Sequence, residues 1–189
     1  MKFTPIIMPE DKAPPEIAQA YEQCQICEKS RLVWGEGNPK APIMVILDNP
    51  GAREDKDGTS YICGTRITLQ EIIAESGINL NDIYITYLLK CRPKHAYDKE
   101  DMRAFSKPFL IEQIETMQPK FLAILGNTAI QAMFGDSLAT AKELRGRWHT
   151  IMGIPTIVSF HPLAARSMRN LRPYFLQDWQ MLMSRLRDS

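Results

Sequence analysis

The chain has 189 residues, 44% of them hydrophobic and 24% charged, which excludes disordered, collagen-like and coiled-coil classes and fits one globular domain over residues 1–189. Its formal net charge of +1 argues against bulk electrostatic attraction to nucleic acid. The distribution is less even than the sum: over residues 142–177 the only carboxylate is Glu143, against Lys142, Arg145, Arg147, Arg166, Arg169 and Arg172.

In chain order, the opening MKFTPIIMPEDKAPPE lacks an apolar stretch followed by a small-residue cleavage site, and no later run is long enough to span a membrane. The expected location is therefore cytoplasmic. In that compartment the four cysteines, beginning with the CQIC pair Cys24 and Cys27, are expected to be thiols, ligands or core residues rather than disulfides. The run Ile43–Leu47 is apolar at every position and predicts a buried strand; Asp48, Asn49, Pro50 and Gly51 follow it. A helix is predicted over 68–76, a second strand over 83–89 running into KCRPK, and a long helix over Lys99–Met117. A third strand, Phe121–Leu125, leads into GNTA and a helix over 128–134. A fourth strand over 156–160 leads into His161 and Pro162, and a final helix is predicted over 173–186, with Pro173 at a tolerated first-turn position.

Short strands apolar on both faces, alternating with helices, predict an α/β fold: a three-layer α/β/α sandwich on a central four-stranded parallel sheet. Ligands of such sheets bind outside the carboxyl ends of the strands, so the four polar loops should converge on one edge. Pro50 and Gly51 fix a sharp turn whose backbone N–H groups can approach a ligand, with Asp48 and Asn49 aimed at the same place. Taken singly, each loop is equally readable as turn chemistry: Asx-Pro-Gly is a common turn, Asn127 or Thr128 is a good helix start, and a lone His161 is a common structural residue.

As an ordered series, CQIC, the strand with its NPG turn, GTSYICG, KCRPK, KPFLIEQIETMQPKFLAILGNTA, LRGRWH, GIPTIVSFHP and the final helix resemble the uracil-DNA glycosylase superfamily, nearest to the family 4 enzymes that carry an iron–sulfur cluster. The resemblance implies a DNA glycosylase that flips a deaminated base out of DNA and hydrolyses its glycosidic bond in base excision repair. The LDNPG turn is similar at its third position to the G-x-N-P-G turn of the mismatch-specific and single-strand-selective branches, which implies that Asn49 orients the attacking water. Asp48 stands where family 4 has Glu and is the second candidate for the catalytic group. His161 matches the motif histidine that donates to the departing base, Tyr61 matches the aromatic residue that stacks on it, and Gly51 and Ala52 supply backbone donors. The loop after His161 matches the place where relatives insert a wedge, with Met168 as apolar plug, Ser167 beside it, and Arg166 and Arg169 on phosphates; Arg145 and Arg147 extend the DNA contact.

Three positions depart from the family 4 pattern. Leu47 replaces the Gly that opens the turn. Tyr87 stands where an Asn reads the edge of uracil, and a phenol offers one hydroxyl where an amide offers a donor and an acceptor; hypoxanthine and xanthine therefore join uracil as candidate bases. Of the four cluster cysteines, Cys24, Cys27 and Cys91 remain, while the fourth position is Ser106 and Cys63 sits elsewhere in the pattern. The expectation is no cofactor, with an incomplete 4Fe-4S site or zinc as the alternative. Partners are expected to be DNA containing a damaged base and no membrane, with the protein a monomer. A non-catalytic DNA- or protein-binding member of the superfamily is the rival reading, and a nucleoside or nucleotide N-glycosidic hydrolase a further one.

Overall fold

The structure is a computed structural model and describes residues 3–58, 64–94 and 99–188. Its centre is four parallel strands, β3 (Ile43–Leu47), β4 (Ile83–Tyr87), β5 (Phe121–Leu125) and β7 (Ile154–Ser159), in the spatial order β4-β3-β5-β7. Residues of β3, β4 and β5 alternate between two layers, as a period of two demands. Ile43, Val45, Leu47, Ile83, Ile85 and Tyr87 face α3 (Gly64–Glu75) and α8 (Arg172–Arg187). Met44, Ile46, Tyr84, Leu122 and Ile124 face α4 (Lys99–Met117) and α5 (Asn127–Phe134). The three layers thus follow from strands with no polar face to turn to water.

Among the described residues the sheet has seven strands rather than the four expected. β1 (Glu10–Asp11) and β2 (Gly35–Gly37) add to the β4 edge and β6 (His149–Ile151) to the β7 edge, all antiparallel. These strands are two or three residues long, so they carry no run of apolar residues; pairing with an existing edge creates them. Helix α1 (Pro15–Glu22) packs Ile17 and Tyr21 into a third, smaller cluster with Trp34, Leu89 and Met102. The remaining helices are α2 (Ala52–Asp57), α6 (Ala141–Leu144) and α7 (Pro162–Ser167). Among the described residues no helix is long and apolar enough to cross a membrane.

The expectation of free thiols is overturned at two positions. Cys27 and Cys91 are joined by a disulfide across a sequence separation of 64, and Cys24 is free. The reason is topological: the turn holding Cys27 lies against the segment that leaves β4, where the Val33 N–H donates to the Lys90 carbonyl at 2.7 Å and the Ser30 hydroxyl to the Arg92 carbonyl at 2.5 Å. Cys63 lies outside the described residues.

Candidate active site

β3 is flanked by β4 on one side and β5 on the other, so chain leaving its carboxyl end faces the switch point of the sheet, where open α/β sheets bind ligands. Asp48, Asn49 and Pro50 follow β3 there, and His161 follows β7 two strands away. The two loops meet: His161 Nε2 lies 3.5 Å from Asp48 Oδ1. Gly126, between β5 and α5, makes the approach possible. Its φ is +90°, and a Cβ on it would sit 3.1 Å from the His161 Cβ and 3.2 Å from its ring. The fourth loop joins them, the Leu89 N–H donating to the Asp48 carbonyl at 2.8 Å and Leu88 and Leu89 lining a hollow with Asp48, Asn49 and Thr128, so all four expected loops converge on one edge.

The imidazole is oriented from behind. His161 caps α7, its Nδ1 accepting from the Leu163 N–H at 3.2 Å. That bond places the ring proton of the neutral form on Nε2, the nitrogen turned to Asp48. Burial pushes the Asp48 carboxyl up, but the hydrogen bond and charge of His161, with the backbone N–H groups of Asn49 and of Asp48 itself, outweigh it and hold the group below its usual 3.8. At the start of the turn the Asn49 N–H donates to Asp48 Oδ1 at 2.9 Å, and the Asn49 side-chain Nδ2 donates to the Pro50 carbonyl at 2.8 Å. The Asn49 amide is thereby fixed with Oδ1 as its remaining acceptor.

A cleft beside this pair is lined by Asp48, Asn49, Gly51, Tyr87, His161 and Leu163. Tyr87 is almost fully buried and forms part of its inner wall, in the layer with Leu47. Ala52 opens α2, and Gly51 precedes it as an N-cap without a side-chain bond. Two further lining residues carry charge, Glu54 and Arg66. The Glu54 carboxylate lies close over Gly51, where a Cβ would meet Oε2 at 2.7 Å and push the end of that side chain aside. The Arg66 guanidinium is fully buried and grips Glu36 of β2 through two bonds, Nε to Oε1 at 2.8 Å and Nη2 to Oε2. Burial pushes the Glu36 carboxyl up to about 7 against the pull of Arg66, and Glu54 and Glu10 add to the rise. Glu54, Arg66 and Glu36 escape sequence reasoning because charged residues in a polar segment read as solvated surface; no signal in the chain marks them. Tyr61 lies outside the described residues.

A second groove leads away from the same pair, past Gly126 and Thr128 to Lys142, Met168 and Leu171. Met168 is 50% exposed after α7, and Ser167, Arg169 and Arg147 are exposed. Arg166 is exposed too, its guanidinium against the backbone of Gly64 at the start of α3. Arg145 is placed differently from its basic neighbours. Its guanidinium binds Asp178 through two bonds, at 2.8 and 3.1 Å, and also the Tyr174 carbonyl and Gln177.

The cysteine-bearing corner does not fit a four-cysteine cluster. The fourth position, Ser106, offers a hydroxyl, a poor ligand for iron, and it is fully buried with the Tyr21 phenol at 3.3 Å. The same phenol accepts from the Lys90 N–H at 3.3 Å, and its ring packs on Phe105 and Phe109 at 5.3 and 5.7 Å. The Tyr21 hydroxyl thus lies between Ser106 and the Cys91 segment, beside a cavity lined by Tyr21, Cys27 and Cys91.

The family model described as the uracil DNA glycosylase superfamily matches residues 34–183. The chain is similar to the type-4 uracil-DNA glycosylase of Saccharolobus solfataricus, 31% identical over 177 residues covering 87% of this chain and 82% of that protein. The type-4 uracil-DNA glycosylase of Sulfurisphaera tokodaii is 30% identical over 183 residues, 88% of this chain and 82% of that protein. That of Thermotoga maritima is 30% identical over 172 residues, 86% and 88%.

Proposed function

The chain belongs to the uracil-DNA glycosylase superfamily, and from that membership and its site we propose that it is a monofunctional DNA glycosylase, hydrolysing the N-glycosidic bond of a deaminated base, uracil first, in DNA. The observation that carries the reading is the opposition of Asp48 and His161 at 3.5 Å across the switch point, with a fixed Asn49 acceptor beside them.

The chemistry needs three things at one place. A water must be held for attack at the anomeric carbon, positive charge on the sugar must be tolerated, and the electron pair of the breaking C–N bond must be received by the base. Asn49 Oδ1 takes a hydrogen of the water and so turns a lone pair toward the sugar. Asp48 stays ionised and offsets the sugar's positive charge. His161 Nε2–H, which faces Asp48 at a long 3.5 Å, turns from that weak bond to the base oxygen on which negative charge grows. Such a donor acts more strongly in the transition state than in the ground state. Gly51 and Ala52 offer backbone donors to the base, Tyr61 a stacking face, and Tyr87 one wall of the pocket. Arg147, Arg166, Ser167, Met168 and Arg169 form the DNA-facing side, with Arg145 bracing it from within.

The protein works as a single-domain cytoplasmic monomer without an iron–sulfur cluster, a reading supported by the Ser106 hydroxyl at the position of the fourth thiolate. Incubation with oligonucleotides bearing uracil, hypoxanthine or xanthine, followed by alkali, tests the activity. Strand scission at the uracil is expected, with none released from free deoxyuridine. Intact strands on every substrate overturn the catalytic reading in favour of a binding protein.

A further inference from the structure

Beyond the reaction cleft a further groove is lined by Lys142, Arg145, Phe160, Leu171 and Tyr174. It shares Lys142, Phe160 and Leu171 with the groove that runs to Asp48 and His161, so the two are continuous. Tyr174 is 49% exposed at the start of α8. One face of its ring is already covered: the Arg145 guanidinium stacks on it at 4.8 Å from the centroid. Arg145 is itself immobilised by two bonds to Asp178, which is fully buried and accepts a 2.5 Å bond from Ser159 at the end of β7. A stacked cation fixes the ring and leaves the other face to whatever enters the groove.

The surroundings select the occupant. Among the described residues Lys142 makes no ion pair, while the one exposed carboxylate beside it, Glu143, is turned onto the Thr140 hydroxyl at 2.8 Å. A held aromatic face, apolar walls and an unpaired cation are the parts with which proteins grip unpaired bases on a charged backbone. Bases inside a duplex have no free face to offer. The geometry points to a single-stranded DNA track: an unpaired base flanking the lesion stacks on Tyr174 while Lys142 meets its phosphate. The inference rests on the glycosylase reading for its direction along the strand, and the protein accordingly engages its lesion in unpaired DNA.

Anisotropy titrations of the full chain with a labelled, lesion-free single-stranded oligonucleotide, alone and annealed to its complement, test the track apart from catalysis. Tyr174→Ala should weaken single-strand binding roughly tenfold and duplex binding less than about twofold. Tyr174→Phe should bind as wild type does, whereas Tyr174→Leu, apolar but without a π-face, should bind as the Ala variant does. Lys142→Ala should lower the salt slope by about one, and Tyr174→Ala should leave it unchanged. Equal loss on both DNA forms, no loss with Tyr174→Ala, or a Tyr174→Phe variant that behaves like Ala overturns the proposal; so does wild type that fails to bind single strands, which would leave the groove to a partner protein. Because binding is read on a lesion-free probe, intact strands with the uracil-bearing oligonucleotides alongside the expected binding pattern remove the glycosylase reading and leave the track standing.

Discussion

At the scale of single residues, the site separates groups that act on developing charge from groups that hold position. In the proposed reaction His161 would reach the base only through Nε2–H, because its Nδ1 is committed to the cap of α7. His161→Ala should slow single-turnover excision by about two to three orders of magnitude with DNA binding nearly intact. His161→Gln keeps a donor but not the cap geometry, and should fall between. Asn49→Ala removes the acceptor for the water and should be severe if Asn49 orients it, but mild if Asp48 alone does so; a chemical step slowed by neither Asn49→Ala nor Asp48→Ala would displace the water from this turn. The pH dependence follows from the direction of the Asp48 shift. Its carboxyl is held below 3.8 by His161 and the turn's N–H groups despite burial, so the excision rate should show no carboxylate titration above that value. The same pairing stabilises the fold at neutral pH, and that contribution is lost as pH falls through the lowered value.

At the scale of elements, the wall of the cleft depends on an ion pair linking strand β2 to α3. Glu36 and Arg66 are both excluded from solvent, and removing one charge leaves the other desolvated. At about pH 8, above the raised value of the carboxyl, Glu36→Ala should cost about 3–5 kcal/mol in denaturant unfolding. Replacing the pair together, Glu36→Leu with Arg66→Met, should recover most of the loss; an undiminished loss in the double variant would show that other contacts of Arg66 carry the stability. This pair also marks where the sequence stops being legible. Strands β3, β4 and β5 are readable because, apart from Thr86, their positions are apolar or aromatic, which only burial on two faces explains. Strands β1, β2 and β6 are not, because Glu-Asp, Gly-Glu-Gly and His-Thr-Ile take their conformation from an edge built elsewhere in the chain. Within the site, Asp48, Asn49 and His161 are legible from their positions after strands. Glu54 and Arg66 are not, and neither is Lys90, which stands in a polar segment yet is fully buried under the Trp34 ring at 4.6 Å, with Nζ donating to Thr86 and Gln113.

At the scale of the whole molecule, a net charge of +1 must be reconciled with a polyanionic substrate, and the disposition of arginines does so. Several are consumed internally: Arg66 by Glu36, Arg145 by Asp178, and Arg172 by Glu75 on α3 at 2.6 Å. These fasten helices and strands together and add little outward field. Arg147 and Arg169 are exposed and, among the described residues, make no ion pair, and both belong to the carboxylate-poor stretch over residues 142–177. A phosphate contact releases counterions, so each such residue contributes to the slope of log affinity against log salt. Arg169→Ala and Arg147→Ala should each reduce that slope by about one and weaken binding equally for every sequence, with little change in the single-turnover rate. Arg145→Ala should behave in the opposite way. It leaves Asp178, whose carboxyl burial already pushes up against the pull of Ser159 and Arg145, without its partner in the interior, so thermal stability should fall while the salt slope stays as in wild type. If Arg145→Ala lowers the slope as Arg169→Ala does, its guanidinium leaves Asp178 for a phosphate when DNA binds, and the bracing role assigned to it is replaced by direct contact.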